Sequence, residues 1–219
     1  MIEIRNLTKS YLHHKAGRNY VFENLSFTIP SGRNVAIIGR NGAGKSTLMN
    51  LLAGVDTPDK GSISTDQSIS WPVGLRGGLQ GSLTARQNCR FITRVQGFSG
   101  KELQEKVAYV EDFAEIGEYF DLPVKTYSSG MRARVAFGLS LAFEFDYYIV
   151  DEAMSVGDAH FKRKAKKAFK NKIGKAHIIL VTHSMSLIRS LCDMVLVLEN
   201  NQVHHFDDIE EGITYYRKK

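Results

Sequence analysis

Gly39-Arg40-Asn41-Gly42-Ala43-Gly44-Lys45-Ser46 follows the apolar run 35–38 and opens a helical run, 47–52. Strand, glycine-rich turn and helix in that order match the phosphate-loop pattern GxxxxGK[ST]. Glycines let consecutive backbone N–H groups curl around phosphate oxygens, and the helix that follows turns its positive end to the same anion. Lys45 is then placed for β- and γ-phosphates, and the Ser46 hydroxyl for Mg²⁺. Gly39, Asn41, Gly42, Ala43, Gly44, Lys45, Ser46 and Thr47 are the phosphate-binding candidates.

Outward from this loop, short β-type runs at 2–7, 25–29, 35–38, 147–151, 177–181 and 194–198 alternate with helical patterns. That alternation predicts an α/β fold with a largely parallel core sheet. From 84 to 120 the period changes: Val107, Val110, Phe113, Ile116 and Phe120 step at three and four residues, a helical insert between strands. With 219 residues, 43% of them apolar, one compact unit is expected. The longest apolar run, 194–198, is far below the ~20 residues that span a bilayer, and the polar start lacks a signal-peptide core. A soluble protein that stays in the cytoplasm is expected. Cys89 and Cys192 lack metal-ligand spacing and read as small buried side chains.

The net charge of +6 is local. Lys162, Arg163, Lys164, Lys166, Lys167, Lys170, Lys172 and Lys175 fall within 161–175 without one acid; the rest of the chain holds 21 basic and 23 acidic residues. Phe161, Ala165, Phe169 and Ile173 recur every four positions there, an apolar stripe beneath a basic face. A solvated helix face is the favoured reading, with a lipid- or RNA-binding surface as its rival.

Two further motifs carry chemistry. Tyr147-Tyr148-Ile149-Val150-Asp151-Glu152 is an apolar strand ending in paired carboxylates. Asp151 would reach Mg²⁺ through its water shell, and Glu152 would orient and deprotonate an attacking water. Between this strand and the phosphate loop, Tyr127-Ser128-Ser129-Gly130-Met131 opens a helix that runs through 132–143. His183 follows the strand 177–181.

In this order the motifs resemble the ATPases of the ABC transporter family across essentially the whole chain. The resemblance implies a P-loop ABC ATPase domain over 1–219. Its parts would be a RecA-like, mostly parallel core sheet, an N-terminal antiparallel β subdomain and a helical signature subdomain. The core would take about 1–83 and 146–219, the helical subdomain about 84–145. It also implies ATP and Mg²⁺. Ser128, Ser129 and Gly130 stand in the family's LSGGQ signature, read here as YSSGM. Ser129 replaces a glycine and Met131 the glutamine while the backbone donors remain, so retuned catalysis is expected. Tyr11 resembles the aromatic that stacks on adenine, with a core tyrosine as the competing reading. His183 resembles the switch histidine at the γ-phosphate, and Gln80, close to Leu83-Thr84, is the candidate for the glutamine that contacts Mg²⁺ and water. Asp158, in Ser155-Val156-Gly157-Asp158, stands where the family makes contacts across its dimer. The family pairs two copies head to tail, each phosphate loop completed by the other copy's signature.

Within the family, residues 38–46, Trp71-Pro72-Val73-Gly74, Gln80-Gly81-Ser82-Leu83-Thr84, 125–132 and Val156-Gly157-Asp158 are most similar to the capsular-polysaccharide export ATPases of bacteria. The implied partners are a second copy of the chain and a polytopic inner-membrane permease. The permease would hold the chain at the cytoplasmic face and convey a lipid-linked polysaccharide; the insert 84–120 would carry the groove for it. With the chain ending at Lys219, the C-terminal carbohydrate-binding domain of many O-antigen exporters is not expected, and neither is a nucleic-acid partner. An O-antigen or teichoic-acid exporter, a small-molecule importer, or a soluble ABC ATPase on ribosomes or DNA are the alternatives. The carboxylate pair makes one chemical prediction. Glu152→Gln keeps ATP affinity and loses ~10²–10⁴ in turnover, the effect of removing a positioned base; ATPase rates equal to wild type would refute it.

Overall fold

The computed structural model describes residues 1–13, 17–74, 78–151 and 158–218. Strand β3 (Val35–Gly39) is buried at all five positions and lies inside a five-stranded sheet. Its companions are β5 (Tyr147–Asp151), β6 (His177–Val181), β7 (Met194–Glu199) and β8 (Gln202–Phe206), in the order β5-β6-β3-β7-β8. The first four are parallel, and β8 returns antiparallel to β7 through Asn200 and Asn201, both at positive φ. Asparagine tolerates that conformation better than other side chains, which suits it to a tight hairpin. Continuous apolar runs such as Val-Ala-Ile-Ile in β3 reflect a parallel sheet covered on both faces.

A second sheet is antiparallel, β2-β1-β4, from β1 (Ile2–His13), β2 (Gly17–Ile29) and β4 (Lys60–Thr65). Ile2, Ile4, Leu7, Phe22, Leu25 and Ile29 from this sheet meet Val35, Ile37, Ile149, Ile179 and Leu196 from the other in one core. Helix α1 (Lys45–Leu52) adds Leu48, Met49, Leu51 and Leu52 to the same core. The antiparallel N-terminal sheet and the mostly parallel core sheet are as expected. Strands β5 and β6 fall on the bounds read from sequence, whereas β1 and β2 run longer and β4 and β8 were not anticipated.

The chain forms two compact units. The first contains Met1–Pro72, β5 and the chain from Ala176 onward, including α6 (Met185–Leu191) and α7 (Ile209–Arg217). The second contains Val73–Glu144 and α5 (Ala159–Ile173). Within it, α2 (Ala85–Val95) and α3 (Gly100–Ala114) lead through two 3-10 turns to α4 (Ser129–Leu141). Thr84 and Gln87 form a capping box at the start of α2, which fixes where the helical insert begins. Phe161 packs edge-on to Phe113 with ring centroids 5.5 Å apart, and Phe113 stacks on Phe137 at 6.0 Å. A Cβ on Gly138 would lie 3.0 Å from the Phe113 ring, so glycine there lets α3 and α4 close up.

The apolar stripe of α5 is therefore internal packing. On its basic face Lys164 pairs with Glu115 and Lys172 with Glu144, while Lys162, Arg163, Lys166, Lys167 and Lys170 are exposed. Cys89 and Cys192 are buried free thiols, both pushed up to about 12 by burial. Among the described residues no helix is long and apolar enough to cross a membrane.

Candidate active site

The sheet order brings separate pieces of sequence to one edge. Strand β3 ends at Gly39; β6, its neighbour, pairs Val181 with Ile37, and β5 pairs Asp151 with Val181. Asp151 and His183 thus emerge at the carboxyl ends of the parallel strands beside the loop that leaves β3, where open α/β sheets bind ligands.

The loop is shaped by close approach and by backbone sign. A Cβ on Gly39 would lie 2.6 Å from the Leu198 carbonyl, so glycine lets the chain leave β3 against β7. Ala43 N–H donates to Arg40 O at 3.1 Å, and Gly42 and Gly44 adopt φ of +83° and +93°. Gly44 is also the N-cap of α1, where no side chain caps the helix and the first turn has no acid. The N–H groups of Lys45, Ser46 and Thr47 precede the first intrahelical bond, Leu48 N–H to Gly44 O at 2.8 Å. This end of α1 is built to take an anion.

Lys45 Nζ donates to Gly39 O at 2.7 Å and Arg40 O at 3.0 Å, so its own loop holds the ammonium at the mouth. Burial lowers the Lys45 pKa from the usual lysine value, and the Asp151 carboxylate opposes that shift. Lys45, Ser46, Thr47, Asn41, Gly42 and Gly44 line a cavity of about 430 Å³ with Asp151, His183 and Tyr11. The Ser46 hydroxyl and Asp151 carboxylate supply few, hard oxygen donors. Such a set suits Mg²⁺, which keeps most of its waters and takes further oxygens from substrate phosphates.

Tyr11 is 43% exposed and faces this cavity, so it is not a core tyrosine. Its hydroxyl donates to Asp56 Oδ2 at 2.8 Å. Asp56 was not picked out from sequence: it lies in an ordinary turn, Asp56-Thr57-Pro58-Asp59, and no periodicity connects it to Tyr11.

Glu152 and Ser155-Val156-Gly157 are outside the described residues. Gln80 belongs to the helical unit; its side chain is exposed and its backbone is gripped by Asn88, at 2.7 Å to the N–H and 3.1 Å to the carbonyl. Ser128 caps α4 by accepting from Met131 N–H at 3.1 Å, which leaves Ser129 and Gly130 in the first turn. Tyr127, at the signature's leucine position, is buried and donates to the Tyr119 and Leu122 carbonyls. Asp158 caps α5 through Phe161 N–H at 2.9 Å and accepts from Arg134 at 2.6 Å, an ion pair within its own protomer.

Residues 22–155 match the family model of the ABC transporter. The chain belongs to the ABC transporter family. Its relatives sharpen the placement. It is 52% identical to the polysialic acid transport ATP-binding protein KpsT of Escherichia coli, over 99% of this chain and 96% of that protein. It is 44% identical both to the ATP-binding protein BexA of Haemophilus influenzae and to the capsule polysaccharide export ATP-binding protein CtrD of Neisseria meningitidis serogroup B. Those alignments span 100% and 99% of this chain and 99% and 98% of the relatives. A dimeric ATP-binding cassette in a post-hydrolysis state with ADP and Pi has the same fold, at a TM-score of 0.72 and 24% identity over 93% of this chain and 97% of that one. The resemblance to ABC ATPases read from the motifs is borne out by these matches.

The ABC phosphate loop can be probed through its two left-handed glycines. A Cβ at Gly42 meets nothing within 4 Å, whereas one at Gly44 would lie 2.6 Å from Phe22 and 2.7 Å from Val21. Gly42→Ala should therefore cost only the left-handed backbone penalty, ~1–2 kcal/mol. Gly44→Ala adds a clash with the core and should weaken ATP binding more. Titration calorimetry checks the order; Gly44→Ala binding ATP as tightly as wild type would contradict the loop geometry.

Proposed function

We propose that this chain is the ATP-hydrolysing subunit of an ABC exporter that drives capsular, lipid-linked polysaccharide across the inner membrane. The observation that carries the cargo is the near full-length similarity to polysialic acid transport and capsule polysaccharide export ATP-binding proteins. The cavity supports the chemistry independently, because its cation, its helix end and its carboxylate face one space.

Lys45 and the N–H groups of 42–47 hold the β- and γ-phosphates of ATP, and Tyr11 stacks on the adenine. Mg²⁺, when bound by Ser46 and Asp151, neutralises charge on the phosphate oxygens. Glu152 orients the attacking water and takes its proton, while His183 donates to the γ-phosphate. Phosphoryl transfer needs positioning and electrostatic stabilisation more than covalent help from the protein, and a helix end, a lysine and a base supply part of both. In the working form a second copy faces the first head to tail, and its Ser128, Ser129 and Gly130 donors close over the γ-phosphate. A polytopic permease holds the pair at the cytoplasmic face, closure of the pair drives the permease, and the polysaccharide passes through the permease alone.

The test separates chemistry from cargo. Lys45→Ala removes the main cationic partner of the phosphates and should abolish ATPase whatever is exported. In a cell carrying only that variant, polymer should accumulate inside and surface capsule should vanish, seen by capsule-specific antibody on intact and permeabilised cells. Normal surface capsule with lost ATPase would overturn the cargo and leave the ATPase standing.

A further inference from the structure

Beside the phosphate loop, Lys9 and Tyr11 on β1 face the turn after α1. Lys9 is 7% exposed, and its Nζ donates to Asp56 Oδ1 at 2.6 Å and Thr57 O at 2.8 Å. The same Oδ1 accepts from Thr57 N–H at 2.7 Å, while Oδ2 takes the Tyr11 hydroxyl at 2.8 Å. The Lys9 ammonium also stands over the Tyr11 ring, 5.1 Å from its centroid. Asp59 fastens the other end of the turn: its carboxylate accepts from Ser10 N–H and Oγ, and its N–H donates to Thr8 O at 2.8 Å. The Lys9 partnership depresses the Asp56 carboxyl below its usual range, so the acceptor stays ionised at neutral pH.

A nearly buried lysine is a costly way to fill space, and an apolar side chain of similar volume would serve packing alone. What the pair provides is a fixed carboxylate whose second oxygen is free for Tyr11. An exposed tyrosine on a strand otherwise rotates freely. Here its tip is tethered, one face lies under a cation, and the ring lines the cavity.

We propose that Asp56 and Lys9 are positioning residues for nucleobase recognition, locking the Tyr11 ring so that its face opposite Lys9 is preorganised to stack on the adenine of ATP. The inference rests on the proposed ATP site. It adds a division of labour along α1: the N-terminal end takes the phosphates, and the turn after its C-terminal end sets the base platform. Preorganisation raises affinity by removing the cost of ordering the ring at binding, so its loss appears in KM and not in the phosphate chemistry.

Titration calorimetry with Mg-ATP and with magnesium tripolyphosphate, beside steady-state ATPase, tests this on the whole chain. Tyr11→Phe removes the tether, together with the hydroxyl's contact to Thr47, and leaves the Lys9–Asp56 pair, whereas Asp56→Ala removes both tether and pair and keeps the Thr47 contact. Each should weaken ATP about five- to tenfold, the size of one ordinary net hydrogen bond, with tripolyphosphate affinity unchanged and kcat within about twofold. Unchanged ATP affinity in Tyr11→Phe overturns the proposal, as does a parallel loss of tripolyphosphate binding in both variants. Tyr11→Leu separates the two levels. If it weakens ATP while Tyr11→Phe does not, positioning fails and stacking stands; if it too is without effect, the adenine platform is elsewhere.

Discussion

The site depends on a backbone conformation that only glycine accepts without strain. Gly42 and Gly44 at positive φ turn the chain from β3 into α1 within a few residues and leave the first N–H groups of α1 outside the helix's own hydrogen bonds. A Ser, Thr or Asp at the N-cap would have consumed one of those donors. Gly44 consumes none, and its lack of a side chain lets Phe22 and Val21 pack directly against the turn. A left-handed turn, an anion-ready helix end and a piece of the core are the same few atoms.

Because α1 is anchored in the core by Leu48, Met49, Leu51 and Leu52, its two ends cannot move independently. Eight residues of helix span ~12 Å, and the turn that follows holds Asp56 against Tyr11. The parallel sheet meanwhile delivers Asp151 and His183 to the same cavity by strand order. The N-terminal end of α1, Asp151 with His183, and Tyr11 are thus placed around one cavity by one helix and one sheet.

Much of this was legible from the sequence, for physical reasons. The phosphate loop is local, so glycine spacing alone marks it. Strands β3, β5, β6 and β7 are buried on both faces and read as unbroken apolar runs. Strand β4, Lys-Gly-Ser-Ile-Ser-Thr, was missed because it is an edge strand with most side chains exposed, and it pairs through its backbone with no apolar signature. Strand β8 failed the same way, since only Val203 and Phe206 break its polar run. Asp56 and Lys9 were illegible because their function comes from a contact 47 residues apart in sequence. Tyr11 could be read two ways, and its exposure removes the core-tyrosine reading. For Glu152 the motif itself remains the evidence, as its position lies outside the described residues.

In the proposed site one nucleotide occupies one cavity, with phosphates at 42–47 and base at Tyr11. A neighbouring cavity of about 500 Å³, lined by Arg40, Glu199, Asn201 and Tyr215 among others, offers polar groups of its own. A crystal structure with Mg²⁺ and a non-hydrolysable ATP analogue discriminates directly. The expected result is phosphate oxygens within hydrogen-bond distance of Lys45 Nζ and the first-turn N–H groups of α1, and adenine on the Tyr11 face opposite Lys9. Nucleotide seated against Arg40, Glu199 and Tyr215, with the first turn of α1 uncontacted, would contradict it.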